Sequence, residues 1–163
     1  MALSPAITDV AQLQDKPAVA ALQQASLVAG AKFDRGELTI YVNRADIKQA
    51  CDVLRENAST KFNFLSDVTC VDLFPVEPRF EVIYHLLSHS RKERVRLIAR
   101  VPGGDPSIES VMGLWPAANF FEREVFDLFG VRFLGHPNLR RIQMPEDWEG
   151  HPLRKDYPVE GYR

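Results

Sequence analysis

The chain has 163 residues, 45% hydrophobic and 26% charged, enough for one globular domain with a real core. Twenty Lys and Arg against 22 Asp and Glu leave a net charge of -2, which excludes a chain-wide electrostatic pull on nucleic acid or anionic lipid. Two cysteines, Cys51 and Cys70, are too few for a disulfide framework and read as small buried hydrophobes in a reducing compartment. No apolar run approaches the roughly 20 residues that span a bilayer, and the N-terminal stretch lacks the basic-then-apolar order of a signal peptide. These features predict a cytosolic chain, or a peripheral one held through a partner.

In chain order, residues 17–29 (PAVAALQQASLVA) are Ala-rich and predict a helix stopped by Gly30, with residues 9–14 as an earlier turn. After Gly36, Leu38, Ile40 and Val42 alternate with Thr39 and Tyr41, a strand pattern. Asn43 is placed to cap a second helix over 44–56, with Ile47, Ala50, Cys51 and Leu54 on one face. Residues 62–74, 79–88 and 94–101 predict a three-strand meander, joined by a Pro-bounded turn at 75–78 and a polar turn at 90–93. Residues 102–107 (PGGDPS) form a loop, and 108–112 read as a helical turn. Trp115-Pro116 then introduces a helix over 117–129 that Gly130 caps. This order predicts an α+β two-layer sandwich over residues 1–133, helices on one face of a mixed sheet, followed by an extended C-terminal arm over 134–163.

On a wheel of about 100° per residue, the last helix gathers Ala118, Phe121, Val125, Leu128 and Phe129 into an apolar arc with Phe126 at its edge. Glu122 falls inside that arc. Arg123 and Asp127, spaced i, i+4, lie opposite on what reads as a solvated face; Glu124 is intermediate. A carboxylate on a buried face needs a cation or hydrogen-bond donors. Arg132, Arg140 and Arg141 lie just downstream, so Glu122 is expected to latch the arm to the domain. Two other readings are a partner contact and a catalytic acid; the second lacks any nearby group to complete acid–base chemistry.

His85 and His89 sit four apart in a strand pattern and read as strand residues, not as a metal pair. His136 and His151 each stand between Gly and Pro, in a small echo (GHPNLRR, GHPLRK) that reads as turn chemistry. No Cys-x-x-Cys, dinucleotide fingerprint, phosphate loop or nucleophile elbow is present. The arm balances five cations (Arg140, Arg141, Arg154, Lys155, Arg163) against five anions (Glu146, Asp147, Glu149, Asp156, Glu160). That balance suits ion pairing with a protein surface better than a nucleic-acid tail. Its anchors (Leu139, Ile142, Met144, Trp148, Leu153, Tyr157, Tyr162) are irregularly spaced, which predicts a segment that is mobile from about Pro137 onward until a partner orders it.

The stretch EREVFDLFGVRFLGHPNLRRI (122–142), followed by PEDWEGHPLRKDYP (145–158), closely resembles the signature and tail of the C-type, or 30 kDa, subunit family of proton-pumping NADH:quinone oxidoreductase, respiratory complex I. The likeness covers about residues 115–162. It departs at Gln143, where the family pattern has an aliphatic residue, and its end soon after Tyr162 resembles the unfused form. The resemblance implies a non-catalytic subunit of the peripheral arm of an electron-transport translocase, on the cytoplasmic side of the bacterial inner membrane. It implies the D-type subunit and neighbouring iron–sulfur subunits as partners, and FMN, iron–sulfur clusters and quinone as cofactors of the complex, none bound by this chain. Carried over as family motif and interface positions are Glu122, Arg123, Glu124, Asp127, Gly130, His136, Arg140, Arg141, Trp148, His151, Arg154, Lys155 and Tyr157; no catalytic or metal-ligating residue is expected. An equivalent subunit of a membrane-bound hydrogenase or related dehydrogenase complex is the alternative. A free-standing module that binds a phosphorylated ligand through its two His-Pro/Arg motifs is a third.

Overall fold

The structure is a computed structural model and describes residues 5–161, so the anchor Tyr162 and the cation Arg163 lie outside the described residues. After a 3-10 turn at Val10–Leu13, the chain runs α1 (Pro17–Gln24), β1 (Gly30–Asp34), β2 (Glu37–Val42), a 3-10 turn (Arg44–Asp46), α2 (Ile47–Glu56), β3 (Phe64–Asp72), β4 (Phe80–Ser88), β5 (Glu93–Val101), β6 (Ser107–Glu109), α3 (Ala118–Phe129) and β7 (Arg132–Leu134). Five strands form one sheet in the order β1-β2-β5-β4-β3. Its pairs are antiparallel except β2–β5, which makes the sheet mixed as expected. β6 and β7 form a separate parallel pair.

Period-two burial along β4 and β5 decides where the helices go. Val82, Tyr84 and Leu86 on β4, with Val95, Leu97 and Ala99 on β5, point into one core with Leu22 of α1, Ile47, Ala50, Cys51 and Leu54 of α2, and Ala118 and Val125 of α3. The opposite face carries Glu81, Ile83, His85, Arg94, Arg96 and Arg100 and no helix. The α+β two-layer sandwich and the β3–β4–β5 meander follow the sequence pattern.

Four elements differ from it: α1, β1, β6 and β7, the last an unforeseen strand that straddles the expected boundary at 133/134. The first helix stops at Gln24, five residues early, because Ser26 takes a left-handed conformation (φ 59) and the Leu27 amide donates to Leu22 O, turning Leu27 into the core. The released residues 25–29 form a turn that leads into β1, an unforeseen strand. Its hairpin turn is Arg35-Gly36, both at positive φ, and Arg there gives none of the usual Asn-Gly signal. Residues 107–109 form a strand instead of a helical turn, because they pair with β7 from beyond α3, a contact that local pattern does not carry. Asn43 does not cap the helix backbone; its Nδ2 donates to Asp46 Oδ2 at 3.1 Å.

Behind α2, Thr60 is fully buried and its hydroxyl donates to Leu54 O at 2.7 Å, while the Phe62 amide reaches the same carbonyl at 2.9 Å. This knot drops Phe62 into the core. Replacing Thr60 with Val keeps the shape but removes the hydroxyl donor from that carbonyl. It is expected to cost about 1–3 kcal/mol in urea unfolding; an unchanged midpoint would mean the bond carries no stability.

Candidate functional site

α3 is amphipathic as patterned, but its polar side is not solvated. Arg123 is 8% exposed and Asp127 0%, because the segment after β7 folds back over them. Asp127 Oδ2 accepts from three consecutive backbone amides, Ile142 (2.9 Å), Gln143 (2.7 Å) and Met144 (2.9 Å). Its Oδ1 accepts from Arg141 Nη1 at 2.6 Å. Arg123 does not pair with Asp127. It donates to the carbonyls of Arg140 and Arg141, both at 3.1 Å. One turn of helix thus offers an acceptor and a donor to successive peptide groups of one crossing segment. Burial opposes the charge on Asp127, yet the Met144, Ile142, Arg141 and Gln143 donors outweigh it and hold its pKa below the ordinary range.

The same tail closes the helix C-terminus, where the last carbonyls have no intrahelical partner. Gly130 takes φ 74 and its amide donates to Phe126 O at 2.8 Å. Asp127 O receives Arg141 Nη1 (3.2 Å) and His151 Nδ1 (2.8 Å), Leu128 O receives the Leu153 amide (3.0 Å), and Phe129 O receives Arg154 Nε (2.6 Å). Two guanidinium groups also complement the negative end of the helix dipole. A Cβ on Gly130 would lie 2.5 Å from Arg154 and His151, so Gly is required there by space as well as by φ. The two Gly-His-Pro motifs are therefore more than turns. His136 Nε2 faces Asn119 O at 3.4 Å and His151 faces Asp127 O, one near each end of α3.

A second clasp joins the tail to the sheet. Arg79, 9% exposed, is bidentate to Asp72 (2.9 and 2.7 Å) and to Asp156 (2.9 and 2.6 Å), and lies between Phe74 and Phe80 at 4.9 and 5.0 Å. The Lys155 amide donates to Asp72 Oδ2 at 2.8 Å. Burial raises the pKa of Asp72, but Arg79 and the Lys155 and Phe74 amides bring it down to about 2. Sequence reading missed Arg79 and Asp72, because Asp156, which completes the clasp, is 77 residues from Arg79 and leaves no local signal.

Glu122 corrects the expected latch. It is fully buried, and its oxygens accept from Ser110 Oγ (2.6 Å) and the Val111 amide (2.7 Å), not from an arginine of the arm. Arg132 pairs with Asp105 at 2.9 Å and Arg141 with Asp127; only the carbonyl of Arg140 is engaged. Glu122 thus ties α3 to the β6–α3 loop, and Asp127 takes the role assigned to it. Glu124 accepts from Gln143 Nε2, Trp148 O accepts from Arg141 Nη2 at 2.8 Å, and Tyr157 Oη reaches Glu149 O at 3.4 Å. The tail from Arg141 to Asp156 is therefore held on its own domain, where mobility was expected. His85 and His89 lie apart from this site; His89 meets Asn63 and Phe64. Among the described residues no three His, Cys, Asp or Glu are grouped as a metal site requires.

Desolvation pushes the Glu122 pKa up to about 7 against the lowering by Ser110 and Val111. A raised carboxyl pKa means the folded state holds the proton more tightly than the unfolded one. Stability from this group is then present in full below the ordinary pKa and lost as pH rises toward 7. The loss is on the order of 3 kcal/mol. Glu122→Gln is expected to flatten the unfolding free energy between about pH 5 and 8; the same slope in both proteins would refute the assignment.

Residues 40–163 match the family described as respiratory-chain NADH dehydrogenase, 30 Kd subunit. The C-type subunit of NADH-quinone oxidoreductase from Roseiflexus sp. (strain RS-1) is 50% identical over 134 residues, covering 82% of this chain and 76% of that protein. The protein of the same name from Geobacter sulfurreducens is 52% identical over 128 residues, covering 78% of each. Among solved structures, a trypsin-resistant fragment of Nqo5 is similar at TM-score 0.55 and 34% identity, over 64% of this chain and 83% of that one. A chain of the membrane-bound sulfane sulfur reductase, an archaeal respiratory membrane complex, is similar at TM-score 0.73 and 27% identity, over 86% of this chain and 82% of that one. On a match that includes α3 and its whole clasped tail, the chain belongs to the respiratory-chain NADH dehydrogenase 30 Kd subunit family.

Proposed function

We propose that this chain is a structural subunit of the peripheral arm of a proton-translocating NADH:quinone oxidoreductase, supporting electron transfer from NADH through FMN and iron–sulfur clusters to quinone. The observation that carries the reading is the family match across residues 40–163, which spans β3 to β5, α3 and the tail. In this reading the chain holds no redox group itself. Its partners are the D-type subunit and the neighbouring iron–sulfur subunits, and it sits on the cytoplasmic side of the membrane. Among the described residues no helix is long and apolar enough to cross a membrane.

The tail geometry supports a docking role of a particular kind. Its Arg141 and Arg154 guanidinium groups and the amides of residues 142–144 are turned inward, while Ile142 (40%), Trp148 (39%), Leu153 (52%) and Val159 (104%) stay exposed. Apolar side chains displayed on an already ordered segment lose little further entropy on binding. The exposed Trp148 is the strongest candidate anchor, since large aromatics dominate interface energy. The proposed interface residues Arg140, Arg141, His151, Arg154 and Lys155 then divide: Arg141, His151 and Arg154 hold the tail, and the Arg140 and Lys155 side chains face outward.

The sulfane sulfur reductase likeness favours a second reading, the equivalent subunit of a related membrane-bound respiratory complex with other redox partners. Purification of the tagged chain from detergent-solubilised membranes separates the two. NADH:quinone reductase activity, flavin and iron–sulfur absorbance are expected to copurify. Sulfur-reducing or hydrogenase activity in their place would establish the second reading, and a chain free of redox partners would reject both.

A further inference from the structure

Arginine in this molecule is used almost entirely within the chain. Among the described residues, every guanidinium meets a carboxylate or a backbone carbonyl except those of Arg94 and Arg140. Arg140 belongs to the tail surface already described. Arg94 stands elsewhere, on the face of the sheet that no helix covers, and Lys92 in the adjoining turn is likewise exposed and unpartnered.

Both line a cleft of about 580 Å³ between the β1–β2 and β4–β5 turns, together with Glu37, Asp67, His85 and Arg96. Its floor is a cross-strand row, Arg96 on β5, His85 on β4 and Asp67 on β3, in direct register, which continues to the buried Thr39 on β2. Arg96 is spent within this row, on Glu37 (2.8 Å) and Thr39 (3.2 Å). Burial, then Arg96, lowers the His85 pKa, so the imidazole is neutral near pH 7. The charges left over are the Lys92 and Arg94 cations on one wall and the Asp67 carboxylate on the other.

We propose that this cleft on the open sheet face docks an extended acidic segment of a neighbouring polypeptide, with Lys92 and Arg94 as the pairing cations. The mixed lining selects the class of partner. Asp67 would repel a phosphate-dense ligand or an anionic membrane, whereas a polypeptide can place carboxylates against Lys92 and Arg94 and an amide or cation near Asp67. The surface is separate from the clasped tail, so the chain would engage its assembly on two sides. The inference rests on the reading that the chain sits in a multisubunit complex.

The test uses that complex, assembled in the membrane, with a photo-crosslinking phenylalanine analogue in place of the exposed Ser66 in the cleft wall. Copurification of redox partners is scored before irradiation, which tests the complex reading separately. The expected product is an adduct to one acidic segment of another polypeptide, with a yield that falls at least about fivefold in Lys92→Glu/Arg94→Glu and falls in wild type as salt screens the pairs. If the double variant does not assemble, the salt series alone decides. No adduct, an adduct to phospholipid alone, an adduct to a segment without acids, or a yield indifferent to charge reversal and salt would overturn the proposal.

Discussion

One carboxylate organises the C-terminal third of this chain. Asp127 collects the amides of Ile142, Gln143 and Met144 and the guanidinium of Arg141 at a site with no exposure to water. A buried charge is tolerable only when its oxygens are fully bonded, and here nearly all of the bonding comes from a segment with no regular secondary structure. The dependence is mutual. Without the tail, Asp127 and Arg123 would keep their polar groups without these partners and the α3 carbonyls would lose their caps. Without Asp127, three successive amides of an irregular segment would have no acceptor.

That mutual dependence explains why α3 is so firmly placed. Its apolar arc packs on the sheet, its buried Glu122 binds the β6–α3 loop, and its remaining polar face and C-terminus are completed by the tail. The Arg79 clasp repeats the device at the far end of the tail, with two carboxylates sharing one guanidinium between aromatic rings. In the function we propose, the tail is thereby a rigid rim that presents Trp148 and Leu153 to partners, not a free arm that folds on arrival.

The legible parts of the fold were those with periodic local signals. Alternation along 79–101 placed β4 and β5, and the Ile47, Ala50, Cys51, Leu54 stripe placed α2. Gly130 marked the end of α3. What stayed hidden depends on distant pairing: β6 needs β7, β1 needs a turn that Arg35 does not advertise, and Arg79 needs Asp156. Within the site, the helix wheel located the polar face of α3 correctly but assigned it to solvent, because a wheel cannot see a covering segment without periodicity. The wheel also drew attention to Glu122, the carboxylate in the wrong place. The organising group was Asp127, which looked ordinary only because its cover was invisible.

Native-state hydrogen exchange puts the Asp127 clasp to its sharpest test, comparing the wild-type chain with Asp127→Ala. The amides of Ile142, Gln143 and Met144 should be protected in the wild type. In the variant they should exchange at least about tenfold faster, while the β4 and β5 amides keep their protection. Free exchange of those three amides in the wild type, at the rate seen in the variant, would mean that Asp127 does not hold the tail.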